Sequence, residues 1–207
     1  MDQIIQYIKQ KYNPLSVILY GSYANGTNDA NSDFDALVIS NGCELCHDTS
    51  FVGTTQLDVF VYPASYFDED YDYSDFIQIF DGKVVMDTED KGKQLRTSVQ
   101  SYLHDRPKKT KMENQANIDW CTKMLERANR GDAEGLFRWH WVLTESLEIF
   151  CDITHHLYLG PKKSILWMKE QHPVAFACYE TALSNFNYES LKNWISYIKD
   201  IHNQSME

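Results

Sequence analysis

The stretch from Leu15 to Ser40, LSVILYGSYANGTNDANSDFDALVIS, constrains this chain more than any other. An apolar run meets a Gly-Ser pair, a polar loop follows, and two carboxylates one residue apart lead into a second apolar run. Ser16 to Tyr20 reads as a buried strand and Asp33 to Ser40 as another, so Gly21-Ser22 falls where a strand hands over to the next element. Backbone N–H groups at such a junction can cradle a phosphate. Glycine permits its close approach and the serine hydroxyl adds a donor. Side chains at i and i+2 of a strand share a face, so Asp33 and Asp35 converge. Two carboxylates about 4 Å apart repel by about 4 kcal/mol at an effective dielectric of 20. Either one takes a proton or a cation lies between them, and magnesium is the cation that carboxylates and nucleotide phosphates usually share.

Gln56 to Tyr62 alternates with a period of two and predicts a third strand, with Asp58 facing away from Leu57 and Val59. Pairing beside Asp33 and Asp35 would bring three carboxylates to one edge, a set suited to a two-metal clamp for in-line phosphoryl or nucleotidyl transfer. Ahead of these strands, Asp2 as N-cap and Ile4, Ile5, Ile8 and Tyr12 at helical spacing predict a helix that stops at Asn13-Pro14. Phe76 to Phe80, Asp81-Gly82 and Lys83 to Met86 fit either strand-turn-strand or helix-turn-strand, and Lys91 to His104 has helical spacing. Cys43-Glu-Leu-Cys46-His47 matches a haem-attachment pattern. It falls in the loop between the second and third strands, has no distant partner for zinc, and is assigned neither role. The run Asp68 to Asp72 lacks the glycine that a calcium loop requires and reads as a solvated acidic loop.

Arg106-Pro107-Lys-Lys-Thr110 is the best linker in the chain and divides residues 1–106 from 111–207. Beyond it, helices are predicted over Glu113 to Ala128, Ala133 to Tyr158, from Pro161, over Ala175 to Leu183 and over Tyr188 to Ile201. The fold class is therefore α+β: a mixed sheet with flanking helices, then a helical bundle. In the second of these helices, Trp141, Glu145, Glu148 and Asp152 form an acidic stripe beside an apolar one of Leu136, Trp139, Leu143, Leu147 and Phe150. Gly160-Pro161-Lys162-Lys163-Ser164 opens a helix with two cations, against the usual acidic preference of a first turn. A local rule broken in this way makes Lys162 and Lys163 candidate phosphate ligands.

The formal charge is −11 and no Lys/Arg run exceeds two residues, which excludes the electrostatic footprint of a long nucleic-acid partner. Residues 1–110 hold 17 Asp/Glu against 9 Lys/Arg, so a triphosphate on Gly21 and Ser22 needs metal ions and a cation from elsewhere, such as the Lys162-Lys163 turn. No apolar run approaches the roughly 20 residues that span a bilayer, and the N-terminus is too polar for a signal sequence. Five cysteines, an odd number, fit reduced thiols. A cytoplasmic protein without membrane contact is expected.

Gly21-Ser22, ten intervening residues, Asp33-Phe34-Asp35 and a later strand carrying Asp58 resemble the signature of the polymerase-β-like nucleotidyltransferase superfamily, over residues 1 to about 62. The resemblance implies that Gly21 and Ser22 hold the nucleotide phosphates and that Asp33, Asp35 and Asp58 bind Mg²⁺, with Asp58 helping to deprotonate the acceptor. The helical half is similar in size and placement to the C-terminal domains of small antibiotic-modifying members, the kanamycin, streptomycin and lincosamide nucleotidyltransferases. That similarity implies transfer of a nucleoside monophosphate from an NTP to a hydroxyl of a small molecule, an antibiotic-like acceptor first among them, with release of pyrophosphate. It also implies Glu145 as general base or as a clamp for a cationic acceptor, with Trp141 as a stacking wall and Glu148 beside it. The chain is shorter than the larger aminoglycoside enzymes, so the acceptor stays open, as does the identity of the base. Some relatives share the active site across a dimer, and a homodimer is a further expectation. The rival reading is a regulatory module of the antitoxin type that binds or modifies a protein partner, or a homologue without catalysis. A single-domain antitoxin would end near Arg106, and this chain continues.

Overall fold

The computed structural model describes residues 1–204. The chain divides into two compact units, one over residues 1–106 and one from Pro107 onward. The first contains helix α1 (Asp2–Tyr12), strand β1 (Pro14–Leu19), short helix α2 (Gly21–Asn25), β2 (Phe34–Ser40), β3 (Cys46–Asp48), β4 (Phe51–Val52), β5 (Thr55–Pro63), β6 (Lys83–Asp87) and α3 (Lys91–His104). Strand order is β3-β5-β2-β1-β6, with β4 paired to β5; β2 and β5 run parallel and the other pairs antiparallel, giving the expected mixed sheet. Ile4 and Ile8 of α1 pack on one face with Val17, Leu19, Ala36, Val38, Val59 and Val61. Ile18, Leu37 and Ile39 alternate with these and are fully buried on the other, where Gly82 packs closely against Ile18.

Two expectations change here and one open choice is decided. Met1, not Asp2, is the N-cap of α1; Asp2 is the first helical residue, where its charge still complements the positive end of the helix. Tyr73–Ile79 forms a 3-10 helix before β6, which decides for helix-turn-strand. Two strands, β3 and β4, occupy what reads from sequence as a loop. Gly53, at φ +65°, makes the tight turn joining β4 to β5. In the acidic run, Asp68, Glu69, Asp70 and Asp72 are exposed, but Tyr71 turns inward against Phe67 and Phe76, with ring centroids 5.2 and 5.7 Å away.

Strand β3 is pinned to α1 by one carboxylate. Asp48, 7% exposed, accepts bonds from Tyr12 Oη (2.7 Å), Lys11 Nζ (2.9 Å) and Tyr7 Oη (3.3 Å) on one oxygen, and from the Ser50 backbone N–H (3.0 Å) and hydroxyl (2.6 Å) on the other. Burial alone would raise its pKa, but the Ser50, Tyr12 and Lys11 hydrogen bonds outweigh that and hold the carboxyl well below its usual range. A depressed folded pKa means that the stabilisation is complete above the unfolded value of about 4 and is lost as pH falls below it. Asp48→Ala is therefore expected to cost about 2–4 kcal/mol at neutral pH and to flatten the loss of stability between pH 4 and pH 2. Urea denaturation of both proteins across that range checks this.

The second unit is a bundle of α4 (Lys111–Ala128), α5 (Ala133–Ile153), α6 (Pro161–Gln171), α7 (Pro173–Asn185) and α8 (Tyr188–Gln204). Thr110 and Glu113 close a capping box that starts α4 two residues ahead of the predicted Glu113. Trp139, Leu143, Leu147 and Phe150 of α5 are buried as their spacing predicts, while Leu136 is 56% exposed and lies outside the core. At the centre, Trp194 donates to Ser146 Oγ (2.8 Å), and Tyr179 Oη donates to the Leu143 carbonyl (2.8 Å). Helix α5 ends at Ile153, not Tyr158. The Thr154 hydroxyl bonds back to the Phe150 carbonyl (2.7 Å), His155 turns left-handed at φ 56°, and His156 leaves the helix to stack flat on Trp167, 3.6 Å between centroids. Among the described residues no helix is long and apolar enough to cross a membrane.

Candidate active site

Gly21 and Ser22 open α2 immediately after β1, so their N–H groups belong to the first turn, which lacks intrahelical partners. Gly21 has φ +65°, and a Cβ there would lie 2.1 Å from Asp35 Oδ2. The turn and the carboxylate are thus in direct apposition, and only glycine fits. A loop ordered by Asp29, which accepts from the Asn31 N–H (2.8 Å) and the Ser32 hydroxyl (3.1 Å), delivers exposed Asp33 one residue ahead of β2.

Asp35 and Asp58 are direct partners in the parallel β2–β5 ladder, so both side chains leave the same face of the sheet. Leu57 and Val59, 1% and 0% exposed, point into the core on the opposite face. Adjacent strands are about 4.8 Å apart, at which two carboxylates repel by about 3 kcal/mol at an effective dielectric of 20. Their field reaches Tyr20, whose hydroxyl is pushed up first by burial and then by the charges of Asp58 and Asp35. Tyr20 remains a neutral phenol near the pair.

His47 of β3 completes this edge: its Nε2 lies 2.5 Å from Asp58 Oδ1 and its ring stacks on Phe60, with centroids 4.1 Å apart and planes within 4°. Sequence reasoning meets His47 only within the Cys43-to-His47 pattern and Tyr20 only as part of a strand, and gives neither a place at this edge. Tyr20 is hidden in an apolar run, and β3, three residues long, is too short for a period to show. The Val52-Gly53-Thr54-Thr55 turn was the available signal for a hairpin ahead of β5.

A nucleotidyltransferase domain profile matches residues 1–119, more than half of the chain. The chain belongs to the nucleotidyltransferase domain family. A nucleotidyltransferase-like protein from Exiguobacterium sibiricum 255-15 is similar in structure at 10% identity and TM-score 0.47, covering 98% of this chain and 75% of its own. A toxin-antitoxin structure with AMP-PNP is similar at 22% identity and TM-score 0.35, covering 57% of this chain and 94% of its own. A search of curated proteins found no match.

Nucleotidyltransferases of this family typically use divalent metals. The donor set at this edge fits a hard cation, being carboxylate oxygens set against a glycine turn with no Cβ to fill the cradle. Among the described residues no three Asp, Glu, His or Cys side chains by themselves form a metal cage.

In the helical unit of this nucleotidyltransferase, Trp141, Glu145 and Glu148 of α5 line one cavity of about 320 Å³ with Lys109, Asn117, Trp120 and Ile149. Trp120 of α4 meets Trp141 edge to face at 5.1 Å. Asp152, the fourth residue of the acidic stripe, is taken up by Lys109 at 2.6 Å. Burial works against the Lys109 charge, but Asp152, Glu148 and Glu113 prevail and raise its pKa. With that lysine paired, Glu145 and Glu148 leave the cavity negative. Lys162 and Lys163 occupy the first turn of α6, as predicted, and do not line this cavity.

Proposed function

We propose that this nucleotidyltransferase moves a nucleoside monophosphate from an NTP to a hydroxyl of a small, amine-bearing molecule. The observation that carries the reading is the in-register Asp35–Asp58 pair abutting the Gly21 turn. Gly21 and Ser22 take the phosphates; Asp33, Asp35 and Asp58 hold Mg²⁺. When bound, the metal neutralises the triphosphate and lowers the pKa of the attacking hydroxyl. The bond from acceptor oxygen to α-phosphorus forms, the bond to the bridging oxygen of the β-phosphate breaks, pyrophosphate leaves, and a carboxylate takes the hydroxyl proton, with Asp58 and Glu145 as the two candidates.

The helical cavity supports the acceptor class. Two tryptophans supply flat faces for a cation and Glu145 and Glu148 supply charge, while about 320 Å³ is at the small end of ligand sites. Lys162 and Lys163 remain proposed contributors to triphosphate binding, and an antibiotic is the leading acceptor within this class.

The test incubates the purified protein with each Mg²⁺-NTP and a panel of amine-bearing alcohols that includes aminoglycosides and lincosamides, read by mass spectrometry. A small molecule heavier by one nucleoside monophosphate is expected. Modification of a co-purifying protein alone would overturn the small-molecule reading in favour of an antitoxin-type module. With the acceptor in hand, Trp141→Ala and Glu148→Gln should each raise its KM about 10-fold and leave the KM for NTP unchanged in steady-state assays.

A further inference from the structure

We propose that His47 is a positioning residue for nucleotidyl transfer: its imidazole holds Asp58 by one carboxylate oxygen and leaves the other for the reaction. The inference rests on the proposed transfer at Asp35 and Asp58, and deepens it. Nε2 sits 2.5 Å from Asp58 Oδ1, a short contact for a nitrogen donor and a carboxylate. The two side chains are 43% and 38% exposed, so as a surface ion pair they would matter little. Their meaning is geometric.

Three constraints fix the imidazole. Its ring lies flat on Phe60, the next residue of β5 on the same face as Asp58. Its backbone is in register with Phe60 through the antiparallel β3–β5 pair. The neighbouring Asp48 ties β3 to α1 through Tyr7, Lys11 and Tyr12. A carboxylate beside a second carboxylate tends to rotate away from it; a fixed donor on Oδ1 removes that freedom and aims Oδ2. Hydrogen-bonded partners that orient ligating carboxylates are typically worth 10–100-fold in metal affinity or activity.

The experiment compares full-length wild type, His47→Ala, His47→Gln, Phe60→Leu and Asp35→Ala. The readouts are NTP turnover, Mn²⁺ affinity measured by electron paramagnetic resonance with a non-hydrolysable NTP analogue and no acceptor, and the thermal midpoint. His47→Ala should lower kcat 10–100-fold and weaken Mn²⁺ binding about 10-fold, with KM for NTP within about 3-fold of wild type and an unchanged thermal midpoint. His47→Gln, whose amide can donate to the same oxygen, should recover most of both, and Phe60→Leu should fall between them. Wild-type kcat and Mn²⁺ affinity in His47→Ala, beside an inactive Asp35→Ala, would overturn the role of His47 alone. Tighter Mn²⁺ binding in His47→Ala would overturn it too, since the imidazole would then be a competitor for Asp58. Equal losses in the Ala and Gln variants with a lowered thermal midpoint would reduce it to a structural contact. Full turnover in Asp35→Ala would instead overturn the transfer reading itself.

Discussion

Asp35→Ala is expected to abolish nucleotide incorporation, lowering turnover on the order of 1,000-fold or more, while the thermal midpoint stays within about 2 °C of wild type. The two halves of this expectation have one cause. Asp35 stands directly beside Asp58 in the β2–β5 ladder, an arrangement that costs like-charge repulsion and gives the sheet no apolar burial in return. Removing it relieves that repulsion, which offsets the contacts the side chain loses. The core beneath, built by Leu57 and Val59 on the opposite face, is untouched. Pyrophosphate release measured alongside a melting curve tests both halves, and retained transfer in a well-folded variant would remove Asp35 from the site.

Gly21→Ala should be nearly as damaging to activity, by a different route. Alanine at φ +65° is strained by about 1–2 kcal/mol, and its Cβ would meet Asp35 Oδ2 at 2.1 Å, so the carboxylate has to move. A displacement of about 1 Å at such a centre costs about 100-fold in rate, and the combined strain should lower stability by about 1–3 kcal/mol. Gly26→Ala separates the two effects. Gly26 also has a positive φ, +78°, but a Cβ there meets nothing within 4 Å. It should lose stability comparably and keep its turnover; equal loss of turnover in both variants would mean that backbone strain, not the clash with Asp35, is what matters at Gly21.

Legibility in the sequence followed the range of the interactions. Gly21-Ser22, Asp33-Phe34-Asp35 and Asp58 sit in or beside strands long enough to show a period of two, and the alternation of Asp58 with Leu57 and Val59 alone assigns opposite faces. The helical half announced itself through apolar spacing sustained over whole helices, although α5 ends at Ile153, earlier than that spacing suggested. Leu136 fits the same apolar stripe yet is exposed, because spacing identifies a helix face without saying how far a neighbouring helix extends to cover it.

By itself, then, the sequence determined a mixed α+β unit with a glycine turn and an alternating carboxylate pair, followed by a helical bundle, since each depends on neighbours within a turn of helix or a few strand residues. Only the tertiary structure decided that β3 pairs with β5 and brings His47 to Asp58, that Asp48 is buried against α1, and that Trp120 and Lys109 join Trp141, Glu145 and Glu148 around one cavity. Those contacts join residues 11 to about 40 positions apart. No local period encodes such pairings; they are selected by strand register and helix packing once the chain has closed on itself.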